Sequence, residues 1–240
     1  MLILIVYGIC IYFIVKEIIK TFEGIDKVKK AYHESSYCKI TNNSFREVFR
    51  DKGKYGEFLI YHELKSYEDI GNKFLFNLYI PLENKETTEI DAVMITKKGI
   101  MVFESKNYSG WIFGSEKSKF WMQTLPSVKG RCYKTQFYSP LLQNKSHINN
   151  LRRVLQCYIP CFSVIVFSDR CTFKKIPEET NETKVIHRKS LSNAVRNIYN
   201  TNKDVIEDNK IEVIYNKLYE YTQVSDEIKI QHVQNIRNKN

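Results

Sequence analysis

Glu89-Ile90-Asp91-Ala92-Val93-Met94-Ile95-Thr96-Lys97-Lys98-Gly99-Ile100-Met101-Val102-Phe103-Glu104-Ser105-Lys106 reads as a β-hairpin with an apolar body and three charged residues at its far end. Val93 to Ile95 on one arm and Ile100 to Phe103 on the other are apolar on both faces, the pattern of strands buried centrally in a sheet. Side chains alternate along a strand, so Glu104 and Lys106 share a face in any register. With the turn centred on Lys97-Lys98, Asp91 lies directly across from Glu104; a slip of one whole pleat puts it across from Lys106. Every even-length turn therefore gathers the three charges on one face, whereas an odd-length loop or a bulge separates them.

Charges at the end of buried strands need a reason, because an unpaired buried carboxylate costs several kcal/mol unless a cation or a proton neutralises it. Two acids converging across a hairpin suit a hard cation such as Mg²⁺, with Mn²⁺ as a substitute, and the carbonyl of Ser105 between them is a further oxygen donor. A lysine beside such a metal positions or deprotonates an attacking water and stabilises charge on a phosphate. Asp91, Glu104 and Lys106 therefore suit metal-assisted phosphodiester hydrolysis. An E-x-K alone is equally a salt bridge on a solvated strand end. Glu57 lies on a predicted helix, Tyr55 to Ser66, at i, i+4 and i+7 with Tyr61 and Leu64, which turns it toward the sheet; an acid near a helix N-terminus is also favoured by the dipole alone.

Gly53-Lys54-Tyr55-Gly56-Glu57, then Glu89-Ile90-Asp91, then Gly99 through Gly110, then Trp121-Met122-Gln123 and Ser139-Pro140-Leu141-Leu142-Gln143 follow one another between about Gly53 and Asp169. In this order they resemble the successive motifs of the NERD (nuclease-related domain) family, placed in the PD-(D/E)xK, restriction-endonuclease-like superfamily. The resemblance implies an α/β fold with a restriction-endonuclease-like central mixed sheet flanked by helices. It also implies Asp91 and Glu104 as metal ligands, Lys106 as the catalytic lysine and Glu57 as the helix-borne acid that completes the site. Gln123 and Gln143 match the family's recurrent glutamines and are candidates for the same site. Where the family pattern has Asn before the proline, this chain has Ser139. Members of the superfamily can lose cleavage and keep the shape, so a catalytically silent nucleic-acid-binding or membrane-associated module is the alternative to a nuclease.

The 240 residues, 43% of them hydrophobic, suffice for one substantial core with extensions. Leu2 to Val15 is uninterrupted and apolar. It covers about two-thirds of a ~30 Å hydrocarbon core, and Met1 with Lys16 to Ile19 brings it close to spanning length. With no basic segment before it and no small-x-small site after it, residues 1–20 read as an uncleaved transmembrane anchor. Lys16, Lys20, Lys27, Lys29 and Lys30 all follow it, which places the N-terminus outside and the body of the chain in the cytoplasm. Residues 21–50 read as a juxtamembrane stalk, 51–200 as the nuclease-like domain and 201–240 as a helical tail. The six cysteines form no disulfide-like framework; Cys157, Cys161, Cys171 and His147 lack zinc spacing and read as buried thiols and a satisfied histidine. His62 and His187 read as ordinary histidines too.

Further strands are expected at Phe74 to Ile80, Trp111 to Phe113, Phe120 to Met122, Cys161 to Phe167 and Lys184 to His187, with helices at Leu141 to Gln156 and Ser190 to Tyr199. Cys161 to Phe167 has no polar alternation and is expected to pack beside the Glu104 strand. The net charge of +10 favours anionic partners, nucleic acid (DNA first) or anionic lipid. Lys117, Lys119, Lys129, Arg131, Lys134, Lys145, Arg152 and Arg153 interleave with Trp121, Tyr133, Phe137 and Tyr138, a surface that suits a nucleic-acid backbone with rings for exposed bases.

Overall fold

The computed structural model describes residue 24, residues 26–126 and residues 132–239. The expected anchor over residues 1–20 lies outside them; among the described residues no helix is long and apolar enough to cross a membrane. In chain order the first elements are α1 (residues 26–34), α2 (Ser36–Thr41), α3 (Phe45–Arg50), α4 (Lys52–Leu64), β1 (Lys73–Pro81), β2 (Thr87–Thr96) and β3 (Gly99–Lys106). Then come β4 (Gly110–Phe113), β5 (Phe120–Pro126), β6 (Cys132–Tyr138), α5 (Pro140–Leu155), β7 (Cys161–Phe167), β8 (Cys171–Lys175) and β9 (Thr183–His187). Helices α6 (Leu191–Thr201), α7 (Asp208–Tyr219) and α8 (Asp226–Lys239) complete the chain.

The hairpin forms in the register centred on Lys97-Lys98: Thr96 pairs with Gly99, Val93 with Val102 and Ala92 with Phe103. Thr96 closes the turn, its hydroxyl donating to the Gly99 carbonyl (2.9 Å) and accepting the Lys98 N–H (3.0 Å). Strand β1 pairs antiparallel with β2, and β7 pairs parallel with β3, as its unbroken apolar run requires. The first sheet thus has the order β1-β2-β3-β7-β9 and mixed polarity.

The α/β class and the mixed sheet agree with expectation, but the strands divide between two sheets. The second has the order β6-β5-β4-β8. Gly110 starts it at φ +77, and a Cβ there would overlap the Thr124 carbonyl oxygen across the β4–β5 pair. Only glycine allows this close turn directly after β3. Ile112 and Trp121 then pack with Phe167 of β7, Trp121 lying parallel to Phe167 at 6.2 Å. Strands β6 and β8 were not expected, because Cys132-Tyr133-Lys134-Thr135-Gln136-Phe137-Tyr138 lies almost wholly exposed and has no apolar alternation.

The segment expected as a stalk contributes to the core. Tyr32, Tyr37, Ile40 and Val48 are buried in one cluster with Phe58, Phe74 and Phe76. Helix α3 starts on a capping box in which the Ser44 side chain accepts the Glu47 N–H and Glu47 accepts the Ser44 N–H (3.2 and 2.8 Å). The tail contributes likewise: α7 lies on β1 and β2 and buries Ile211, Ile214 and Leu218 in the same cluster. Each fully buried side chain of this size stabilises by about 1.5–3 kcal/mol relative to exposure. Helix α4 crosses close over the end of β3, since a Cβ on Gly56 would stand 2.6 Å from Ser105 Oγ. That close approach brings the next residue, Glu57, to the end of the hairpin.

Candidate active site

Asp91 lies one step beyond the last paired rung, Ala92 with Phe103, where β2 and β3 part. Its Oδ2 accepts the Ser105 N–H at 2.7 Å, so the carboxylate replaces a lost ladder bond. Glu104 is 1% exposed. Its Oε1 accepts from Lys106 Nζ at 2.6 Å and its Oε2 lies 3.2 Å from His147 Nε2. Lys106 also donates to Gln143 Oε1 at 3.0 Å. Gln143 and His147, four residues apart on α5, present one helical face to the ion pair. Ser139 still caps α5, its hydroxyl accepting the Leu142 N–H, with Pro140 in the first turn.

His147 is a participant that sequence reasoning missed. It is buried, and its Nδ1 lies 3.0 Å from Thr88 Oγ1 on β2. With the ring proton on Nε2, it donates to Glu104 and accepts the Thr88 hydroxyl proton. The spacing Gln143-x-x-x-His147 was the available signal, since residues four apart on a helix that packs over β3 reach the same spot. His187 is satisfied by the Cys171 carbonyl (3.1 Å) and a stack on Phe173.

The electrostatics separate the groups. Burial, then the charges of Glu104 and Glu57, raises the Asp91 carboxyl well above the usual range. Burial opposes ionisation of Glu104, but the Lys106 charge and the His147 hydrogen bond outweigh it and hold its carboxyl below the ordinary value. Burial likewise opposes the charge on Lys106, and Glu104 and Asp91 outweigh it, so this amine is held protonated. Glu57, on α4, is pushed up to about 8 by burial and by the Glu89 charge; the Tyr37 hydroxyl donates to its Oε2 at 3.2 Å.

Asn77 faces Asp91 from β1. The ladder pairs Phe76 with Ala92 and Leu78 with Ile90 and skips the position between, where Asn77 takes a left-handed conformation, φ 52. Its Nδ2 donates to Glu89 Oε1 at 3.3 Å, and its Oδ1 is buried without a partner among the described residues. A non-glycine residue in this conformation in mid-strand stores strain, and such residues cluster at functional sites.

Asp91, Glu104, Ser105, Lys106 and Gln143 are therefore brought together, and Glu57 stands beside them. Gln123 stands apart: its amide donates to the Ser109 carbonyl at 2.8 Å and fastens the β3–β4 connection. The Lys106–Glu104 pair exists, but within the protein and not on a solvated strand end. The donors fit a hard divalent cation in kind: carboxylates of Asp91 and Glu104 and the unpartnered Asn77 oxygen. Among the described residues no three His, Cys, Asp or Glu side chains already converge in ligand geometry, at this site or around Cys157, Cys161 and Cys171.

The surface reading needs correction. Trp121 is 1% exposed and Phe137 packs inward against Phe167, so neither can stack on a base. Tyr133 and Tyr138 are exposed, together with Trp111 and Phe120. Lys129 and Arg131 lie outside the described residues.

The model of the NERD family, nuclease-related domain, matches residues 52–168, the segment from α4 through the end of β7. An uncharacterized protein of Bacillus anthracis is 28% identical to this chain over 194 residues, 81% of this chain and 88% of that protein. No solved structure matches the chain.

Proposed function

We propose that this protein is a Mg²⁺-dependent nuclease of the PD-(D/E)xK type that hydrolyses phosphodiester bonds, DNA first, with residues 1–20 anchoring it in the membrane and its domain in the cytoplasm. The observation that carries the catalytic reading is the buried group of Asp91, Glu104 and Lys106 at the parting of β2 and β3, faced by Gln143. Anchoring and orientation rest on the apolar run Leu2 to Val15 and the lysines after it.

Asp91 and Glu104 would hold the metal, with the Ser105 carbonyl as a further donor; when bound it supplies Lewis acidity toward a phosphate oxygen and an acidified water. Lys106, held protonated, donates hydrogen bonds to a phosphate oxygen or to the attacking water and does not take that water's proton. The Gln143 amide fixes the direction of the ammonium. Glu57, whose carboxyl is pushed up to about 8, titrates close enough to neutrality to exchange a proton there. His147 orients Glu104.

One observation favours the silent module: Lys106 and His147 already satisfy both oxygens of Glu104. The decisive experiment is cleavage of labelled linear, circular and single-stranded DNA and of RNA by the full chain, with Mg²⁺, Mn²⁺ or EDTA, beside Asp91→Asn. Neutralising Asp91 removes a charge whose ionisation the site already opposes, so the variant keeps its fold. Metal-dependent cutting abolished in Asp91→Asn supports the nuclease; a folded, metal-indifferent and inert wild type sinks it.

A further inference from the structure

The outer face of the second sheet is not used by the site. Strand alternation turns Ile112, Trp121 and Phe137 inward, and it turns Trp111, Phe113, Phe120, Met122 and Tyr138 outward. Three of the outward rings are open to solvent: Trp111 at 40%, Phe120 at 49% and Tyr138 at 42%. Phe120 and Tyr138 sit directly opposite each other, edge to face at 6.2 Å. Two lysines already lie over these rings, Lys174 Nζ at 4.9 Å from the Trp111 centroid and Lys119 Nζ at 5.6 Å from Phe120. Lys174 reaches Trp111 because the β4–β8 register shifts between Ile112 and Phe113. Phe113, Met122 and Lys175 line a groove between the rings.

We infer that this face is a stacking platform for single-stranded nucleic acid, which makes the substrate of the proposed nuclease one with an unpaired segment. The inference rests on the nucleic-acid reading for its occupant. Exposed rings on a sheet, spaced along neighbouring strands and flanked by ammonium groups, match the two demands of a single strand: π-faces for successive bases and cations for the phosphates. Charge points the same way. Residues 110–126, 132–138 and 171–175 carry five lysines (117, 119, 134, 174, 175) and one acid, Glu116. A paired duplex offers no exposed base face to Trp111 or Phe120. Trp111 is five residues from Lys106, at most about 18 Å of extended chain, so a strand seated here passes within about five phosphate spacings of the site.

The chain has two tryptophans, and the other, Trp121, is 1% exposed, so quenching of Trp111 reports stacking directly. The full chain is titrated in EDTA and low salt with an oligothymidylate of about 20 nucleotides, long enough for a typical single-strand site, and with a duplex of equal length. The single strand is expected to quench the fluorescence and the duplex not to. Labelled-oligonucleotide anisotropy should show about 5- to 150-fold weaker binding for Trp111→Ala and again for Phe120→Ala, with Trp111→Phe near wild type. Unchanged affinity in the double alanine variant, or equal quenching by duplex, overturns the platform. So does self-association that Trp111→Ala abolishes while oligonucleotide affinity stays constant, which would assign the face to a second copy. No cleavage is involved, so an inert protein that still shows ring-dependent quenching retains the platform and loses only the catalytic reading.

Discussion

Glu57 is a carboxyl the fold prefers to keep protonated, and replacing it with glutamine should stabilise the protein in a pH-dependent way. Its carboxyl is pushed from the ordinary 4.5 to about 8, first by burial and then by the Glu89 charge. Between these values the folded chain holds a proton that the unfolded chain has released. Stability is therefore lost as pH rises through this window, and the loss levels off above the folded value. At pH 7 the interval from 4.5 upward corresponds to a penalty of about 3 kcal/mol at roughly 1.4 kcal/mol per unit. Glutamine mimics the neutral acid in shape and keeps an oxygen to accept the Tyr37 hydroxyl proton. Glu57→Gln should thus gain less than about 1 kcal/mol near pH 5 and about 3 kcal/mol near pH 7. Urea unfolding of both proteins at these pH values, in EDTA so that no divalent cation offsets the charge, measures the difference. A gap that stays constant across the range would refute the argument, because it would mean that Glu57 titrates alike in both states.

Three further outcomes follow from the packing. Lys106→Ala should cost about 3–5 kcal/mol in chemical denaturation, since it leaves the buried Glu104 charge with only His147; a loss below about 1 kcal/mol would show that the pair is more solvated than its burial indicates. Leu218→Ala, in the segment after the nuclease-related match, should cost about 2–5 kcal/mol because Leu218 lies in the main core. A neutral result would mean that α7 does not hold β1 in solution. Gly110→Ala should lower the melting temperature, with at least about 1–2 kcal/mol lost to handedness alone and more to the overlap with Thr124; an unshifted melt would require a different β3–β4 turn.

The hairpin was legible because two independent rules converge on it: alternation along the strand and an even turn at Lys97-Lys98. Together they place Asp91 against Glu104 without any tertiary knowledge. His147 was not, because its role depends on how α5 is rotated over β3, and its four-residue spacing from Gln143 becomes telling only once Gln143 is known to face the ion pair. Asn77 left a fainter trace. It is the one polar residue in Phe74-Leu75-Phe76-Asn77-Leu78-Tyr79-Ile80, and asparagine is among the few residues that tolerate left-handed backbone. Trp121 was read as a surface ring because an apolar pair of strands does not declare which face looks inward until Phe167 is known to lie beneath. The short helices α2 and α3 gave too few turns for a periodic signal, so Tyr37 and Val48 read as stalk although they are buried.

The order in which the core is closed has a consequence for the nascent chain. Strand β1 is the edge of the first sheet; Tyr37 of α2 and Tyr61 of α4 pack on Phe74 and Phe76 from one side, whereas α7 meets it on the side of Lys73, through Glu212 and Tyr215, and leaves the ribosome only after every described strand has been made. At ordinary translation rates that interval is on the order of ten seconds, during which the α7 side of β1 lies uncovered beside a sheet edge capable of pairing with another chain. Synthesis of this protein therefore includes a window of aggregation risk that ends only when its C-terminal helices emerge, and a ribosome stalled before Asp208 would release a chain with that side of its edge strand still bare.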